Sequence, residues 1–154
     1  MLCGMKELPG TLGLVSGTST CHMLLSDCCS LVPGVWGPYY SALLEGLWLM
    51  EGGQSSTGSL LDFIIRNHPA YPSLAITAEH NNGTVYKQLE LLVYEISSQQ
   101  NLPNSCFLTK HFHMTADFHG NRSPLSDPEM TGTMVGLTLA QDVNNLALHY
   151  LGIH

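Results

Sequence analysis

Leu12-Gly13-Leu14-Val15-Ser16-Gly17-Thr18-Ser19-Thr20-Cys21-His22-Met23-Leu24-Leu25 holds two short apolar runs on either side of a Gly-Thr-Ser-Thr turn. Two such runs joined by a tight glycine turn predict a β-hairpin. Downstream, residues 32–40 carry Pro33, Gly34, Gly37 and Pro38, which predicts a loop anchored by aromatic rings. Residues 46–50 are apolar and aromatic and predict a third strand, ended by the glycines of Glu51-Gly52-Gly53-Gln54-Ser55. A helix is expected over 56–67, where Leu60, Leu61, Ile64 and Ile65 share one face, with His68-Pro69 as its stop.

Residues 70–82 read as mixed and polar, closing on an Asn81-Asn82-Gly83 turn. A second helix fits 84–98, with Leu89, Leu92, Val93 and Ile96 as its stripe. A short strand is expected over 107–112, a loop over 113–128, and a brief strand or turn at 137–139. A last helix starts at Asp142, a suitable cap, and its apolar pattern is cut off at the chain end. The order strand, turn, strand, loop, strand, glycine turn, helix is the opening of a ribonuclease-H-like α/β half-domain. Other α+β folds share that periodicity.

The chain has 154 residues, enough for one domain with a sizeable core, and 44% are apolar. Only 11% are charged, against the usual quarter, so much of the surface is expected to meet another domain or partner. A net charge of −7 with five basic residues argues against nucleic acid and anionic membranes, which need Lys and Arg. Phosphate remains open, because backbone N–H groups can hold it without basic side chains. Five cysteines without regular spacing make a poor disulfide framework. No signal peptide or membrane span is read, so a reduced, cytoplasmic protein is expected.

Gly17-Thr18-Ser19-Thr20 can turn successive amides and hydroxyls toward one point, which suits a phosphate; the same string also makes an ordinary hairpin turn. Gly52-Gly53 before a helix would let an anion reach the helix N-terminus, or would simply be a strand-to-helix turn with Ser55 or Ser56 as cap. Asp117-Phe118-His119-Gly120-Asn121-Arg122-Ser123-Pro124 is dense in functional side chains. Arg122 and Asp117 could pair with each other, contact a polyol, or anchor a long loop. His111, His113 and His119 invite a metal reading, yet their spacing matches no zinc signature, and no metal residue is assigned. No nucleophile elbow is present.

Taken together, the Gly17–Met23 string, Val32-Pro33-Gly34-Val35-Trp36-Gly37-Pro38-Tyr39-Tyr40, the string from Leu47 to Gly58 around Glu51-Gly52-Gly53-Gln54, the Asp117–Leu125 string with Asp127 and Pro128, and Gly136-Leu137-Thr138-Leu139 resemble the start of the second domain of FGGY carbohydrate kinases. The likeness covers roughly residues 11–151 and leans to the ribulokinase-like branch. It implies two ribonuclease-H-like, actin-like ATPase domains closing on a cleft. It also implies ATP-dependent transfer, with Mg²⁺, of a phosphoryl group to a sugar or polyol hydroxyl, D-ribulose or a similar ketopentose being expected. By position, Gly17, Thr18 and Ser19 would touch the ATP phosphates, and Gly52, Gly53 and Gln54 would form a second nucleotide-facing turn. Asp117, His119, Asn121 and Arg122 would form a substrate or structural loop.

The family's catalytic Asp precedes the Gly-Thr-Ser turn, and here no Asp precedes Asp27, so no catalytic residue is assigned. The first domain and the Gly-rich adenosine segment also have no counterpart. Residues 1–10 read as an atypical leader and 11–154 as the first part of the second domain. His149 and Gly152-Ile153-His154 depart from the long helix of the family. The expectation is an internal piece of a kinase, inert by itself; the alternative is a regulatory isoform that binds a full-length kinase.

Overall fold

The computed structural model describes residues 9–153, so most of the expected leader, and His154, lie outside the described residues. Two compact units divide the chain, one comprising residues 9–59 and 116–132 and the other Leu60–Thr115 and Thr133–His154.

The first unit is built on the hairpin. β1 (Leu12–Ser16) pairs antiparallel with β2 (Thr20–Ser26), Leu12 opposite Leu24 and Ser16 opposite Thr20, which leaves Gly17, Thr18 and Ser19 as the turn. β3 (Trp36–Tyr40) and β4 (Trp48–Gln54) complete a four-stranded antiparallel sheet in the order β1-β2-β4-β3. Two expectations change here. Residues 36–40 form a strand rather than a loop: β3 lies at the sheet edge and is irregular between Trp36 and Tyr39, the setting in which a strand tolerates Pro38.

The glycines at 52 and 53 do not break β4, which runs on to Gln54 against Thr20. A Cβ on Gly53 would stand 2.6 Å from the Thr20 carbonyl oxygen, so glycine here permits a close strand approach rather than a turn.

The second unit is helical. α1 (Gly58–Asn67) begins in the first unit, and from Leu60 onward it belongs to the second. α2 (Tyr71–His80), α3 (Val85–Gln99) and α4 (Val143–Ile153) follow. Their shared core is Leu61, Ile65, Leu74, Leu89, Val93 and Leu146 with smaller neighbours. α2 replaces the expected irregular stretch. Pro72 sits in its first turn, where a missing N–H costs nothing, and Leu74 and Ala78, four apart, are its buried residues.

α3 starts at the Thr84 cap, whose hydroxyl accepts from Lys87 N–H at 3.2 Å. α4 starts as expected, the Asp142 carboxylate accepting from Asn145 N–H at 2.8 Å. It then continues through His149 and Gly152 to Ile153, so those residues do not interrupt it.

The strand expected over 107–112 is instead a 3-10 helix (Ser105–Thr109), opened by Asn104, which accepts from Cys106 N–H at 2.8 Å. β5 (His113–Thr115) pairs with β6 (Thr133–Val135), just before the predicted 137–139 segment, where Leu139 is 98% exposed.

Candidate functional site

The hairpin turn divides its polar groups between two directions. Its carbonyls face the start of α1: Thr18 C=O accepts from Thr57 N–H at 2.8 Å, and Gly17 C=O accepts from Gly58 N–H at 3.0 Å. Thr20, buried, donates its hydroxyl to Thr57 Oγ1 at 2.8 Å, and the Ser56 and Ser59 hydroxyls meet at 2.8 Å. The expected open helix N-terminus is therefore already partnered at Thr57 and Gly58, by carbonyls of the same turn. A Cβ on Gly58 would stand 2.6 Å from the Gly17 oxygen, so this contact requires glycine.

The other side of the turn is free. The amides and hydroxyls of Thr18 and Ser19 make no hydrogen bond among the described residues, and Gly17 and Thr18 are exposed. The Gly17 amide is internal, donating to Ser19 C=O at 2.9 Å. Two neighbouring N–H groups and two hydroxyls of this turn therefore remain as unused donors among the described residues.

A second cluster forms at the far end of β4. The partners of β4 in β3 end at Glu51, and beyond them the 116–132 segment comes alongside, Gln54 Nε2 donating to Ala116 C=O at 3.5 Å. Arg122 lies over the Trp36 ring, 4.6 Å from its centroid, and makes a 3.5 Å ion pair with Glu51. Ser123 packs against Gly52, where a Cβ would come within 3.2 Å of its hydroxyl. Glu51 and Gly52 point to opposite faces of the sheet, so Arg122 and Ser123 straddle the strand. Ser123 also donates to Gly34 C=O at 2.6 Å.

The segment braces itself too. Asn121 donates from Nδ2 to Asp117 Oδ1 at 2.9 Å and accepts from Leu125 N–H at 2.9 Å. Of the alternatives for Asp117 and Arg122, pairing with each other is not what forms: Asp117 meets Asn121 and Arg122 meets Glu51.

Between strand and segment lies a pocket of about 380 Å³, lined by His22, Gly53, Gln54, Asp117, Arg122 and Ser123 among others. A neighbouring hollow of about 340 Å³ is lined by Trp36, Ser55, His119, Asn121 and Arg122 with the residues between them. The structure therefore gathers Gly53, Gln54, Asp117 and Arg122 in one pocket, and His119 and Asn121 in the next. Gly17, Thr18 and Ser19 line neither.

Glu51, Trp36 and His22 were not singled out from the sequence. Residue pairing holds the only signal: Trp36 and Glu51 are partners across β3 and β4, and Met23, two residues from Cys21 on the same face, opposes Glu51. Of the three histidines, His111 and His113 belong to the second unit and His119 to the first. No group of His, Cys, Asp and Glu among the described residues is arranged to hold a metal.

Residues 12–153 match the C-terminal domain of the FGGY family of carbohydrate kinases. An FGGY carbohydrate kinase domain-containing protein of Danio rerio is 49% identical over 149 residues, which is 97% of this chain and 27% of that protein. A D-ribulokinase of Saccharomyces cerevisiae is 40% identical over 142 residues, 92% of this chain and 20% of that protein. The chain thus spans about a quarter of the length of the curated relatives it matches.

A xylulose kinase from Rhodospirillum rubrum aligns with TM-score 0.64 at 24% identity, covering 96% of this chain and 25% of that one. At that identity the likeness speaks for the fold, a partial domain of the ribonuclease-H-like, actin-like ATPase type. Matched along nearly its whole length by sequence and by fold, the chain belongs to the FGGY family of carbohydrate kinases, as part of the C-terminal domain.

Proposed function

We propose that this chain supplies part of the ATP site of a cytoplasmic carbohydrate kinase that phosphorylates a hydroxyl of a sugar or polyol, D-ribulose or a related ketopentose. The observation that carries the reading is the sorted hairpin turn, in which the Thr18 and Ser19 amides and hydroxyls are left without partners. Gly17, Thr18 and Ser19 hold the phosphates, and Gly52, Gly53 and Gln54 face the nucleotide from the end of β4. Asp117, His119, Asn121 and Arg122 border the pockets beside it. The turn carries no carboxylate, so Mg²⁺ would arrive on the nucleotide's own phosphate oxygens. The ribulokinase names among relatives at 36% and 40% identity favour a ketopentose.

We assign the catalytic base to no residue of this chain, and the 154-residue polypeptide is expected to bind Mg-ATP without turning over. Titration calorimetry with Mg-ATP tests the site: Ser19→Pro, which removes one of the two free amides, should weaken binding at least tenfold. Unchanged affinity would remove the turn from the phosphate site. ADP release with ribulose above that of a denatured control would refute the inertness of the chain.

A second reading, a regulatory chain that docks on a full-length kinase, is favoured by β1. Leu12, Leu14 and Val15 are 55%, 58% and 43% exposed on a strand that has no neighbour at its outer edge among the described residues. Co-purification with the full-length kinase distinguishes the two.

A further inference from the structure

Buried His68 and half-buried His149 form a pair of imidazoles in the second unit that phosphate binding does not use. His68 follows α1 and is 9% exposed. Its Nδ1 accepts from Ala70 N–H at 3.1 Å, so the ring proton sits on Nε2, which donates to Asn145 Oδ1 at 3.1 Å. Asn145, also buried, lies in the first turn of α4. One turn further along α4, His149 meets the edge of His68 at 5.4 Å and stacks on Phe112 at 4.9 Å, with 23° between the planes. Phe112 is seated against Gly152, where a Cβ would stand 2.3 Å from the ring. Three residues from outside α4 or its first turn thus depend on two neutral rings.

We propose that the His149–Phe112 stack, backed by the His68–Asn145 hydrogen bond, acts as an acid-released latch, holding α4 to the α1–α2 corner and to Phe112 at neutral pH and loosening it when the His149 imidazole charges. A proton on His149 would create a charge among apolar neighbours beside a second imidazole. Burial first, and then repulsion from His68, lowers the pKa of His149 from its ordinary value.

The titratable groups around the pair give no relief. The α1–α2 corner presents His68. Lys110, His111 and His113 flank Phe112 in the sequence, and none of them is a carboxylate. On α4, Tyr150 is neutral and Asp142 is engaged at the helix cap with Asn145 N–H. Among the described residues His68 is the one charge-bearing group that acts on His149, and no carboxylate there offsets it. The sign follows: with its pKa lowered in the folded state, His149 binds fewer protons folded than unfolded below the ordinary value. Stability is full above about pH 6.5 and is lost as pH falls through the folded pKa.

Hydrogen–deuterium exchange on the full chain at pH 7.5 and 5.5, corrected for intrinsic rates, tests the latch. Protection of α4 and residues 110–115 should fall threefold or more at the lower pH, with β2 and β4 changing less than threefold. His149→Phe, which keeps a ring on Phe112 but cannot charge, should hold the loss in α4 below threefold. Equal loss in all elements, or an unchanged loss in the variant, overturns the proposal. If the variant does not fold, the imidazole titration of wild-type His149 by NMR decides: a midpoint at or above the ordinary value overturns it, and one below supports it.

Discussion

Gly58 opens α1 with its Cα against the Gly17 carbonyl, a backbone atom that cannot swing aside. Alanine in a helix is worth about 1 kcal/mol over glycine, whereas forcing a methyl into a filled site costs about 1–3 kcal/mol. The contact should win, and Gly58→Ala is expected to lower stability by up to about 2 kcal/mol in urea unfolding. A raised midpoint would show that the turn yields. Arg122 makes a different test, because its guanidinium serves a ring and a carboxylate together. Each contact is worth about 1 kcal/mol where both partners are partly exposed. Arg122→Lys keeps the charge and loses the planar stack, so it should alter Trp36 fluorescence nearly as much as Arg122→Ala.

Tyr86 donates to Asp62 Oδ1 at 2.8 Å, and burial, with that bond, pushes its phenol up to about 12. A raised folded pKa means stability held below about pH 10 and lost as pH rises toward 12. Tyr86→Phe should flatten that alkaline slope in a pH series of melts.

Among the elements, α3 carries the centre of the helical core. Leu89 is 0% exposed, and Leu89→Ala should cost about 2–5 kcal/mol by denaturant unfolding. α1, α3 and α4 were legible because four or more apolar residues recur at helical spacing behind a recognisable stop or cap. α2 was not: Leu74 and Ala78 are its whole buried face, and Pro72 reads as a breaker unless the helix start is already known. β4 was cut short because two glycines signal a turn locally, whereas their use is set by Thr20 and Ser123, far away in the chain. The same distance hid part of the site. Gly17-Thr18-Ser19 is a local pattern and could be read from its own residues. The partner of Arg122 lies 71 residues earlier, and nothing near Arg122 points to Glu51 rather than Asp117.

For the molecule as a whole, low charge and exposed β1 belong together. Leu12, Gly13, Leu14 and Val15 form a continuous apolar run, as strands covered on both faces do, yet Leu14 is 58% exposed. Such an edge invites pairing with another chain. Leu14→Lys should raise the concentration at which the polypeptide aggregates, measured by light scattering, without shifting its unfolding midpoint by more than about 0.5 kcal/mol. The hairpin turn has a further consequence through ionic strength. Its pull on an anion comes from two amides, with the nearest helix dipole already met by its own carbonyls, in a chain of net charge −7. A lysine-built phosphate site loses affinity as salt screens its attraction. On the proposed phosphate role, added salt would screen only the repulsion from the rest of the chain, so Mg-ATP is expected to bind as well, or better, at about 0.15 M salt as in dilute buffer.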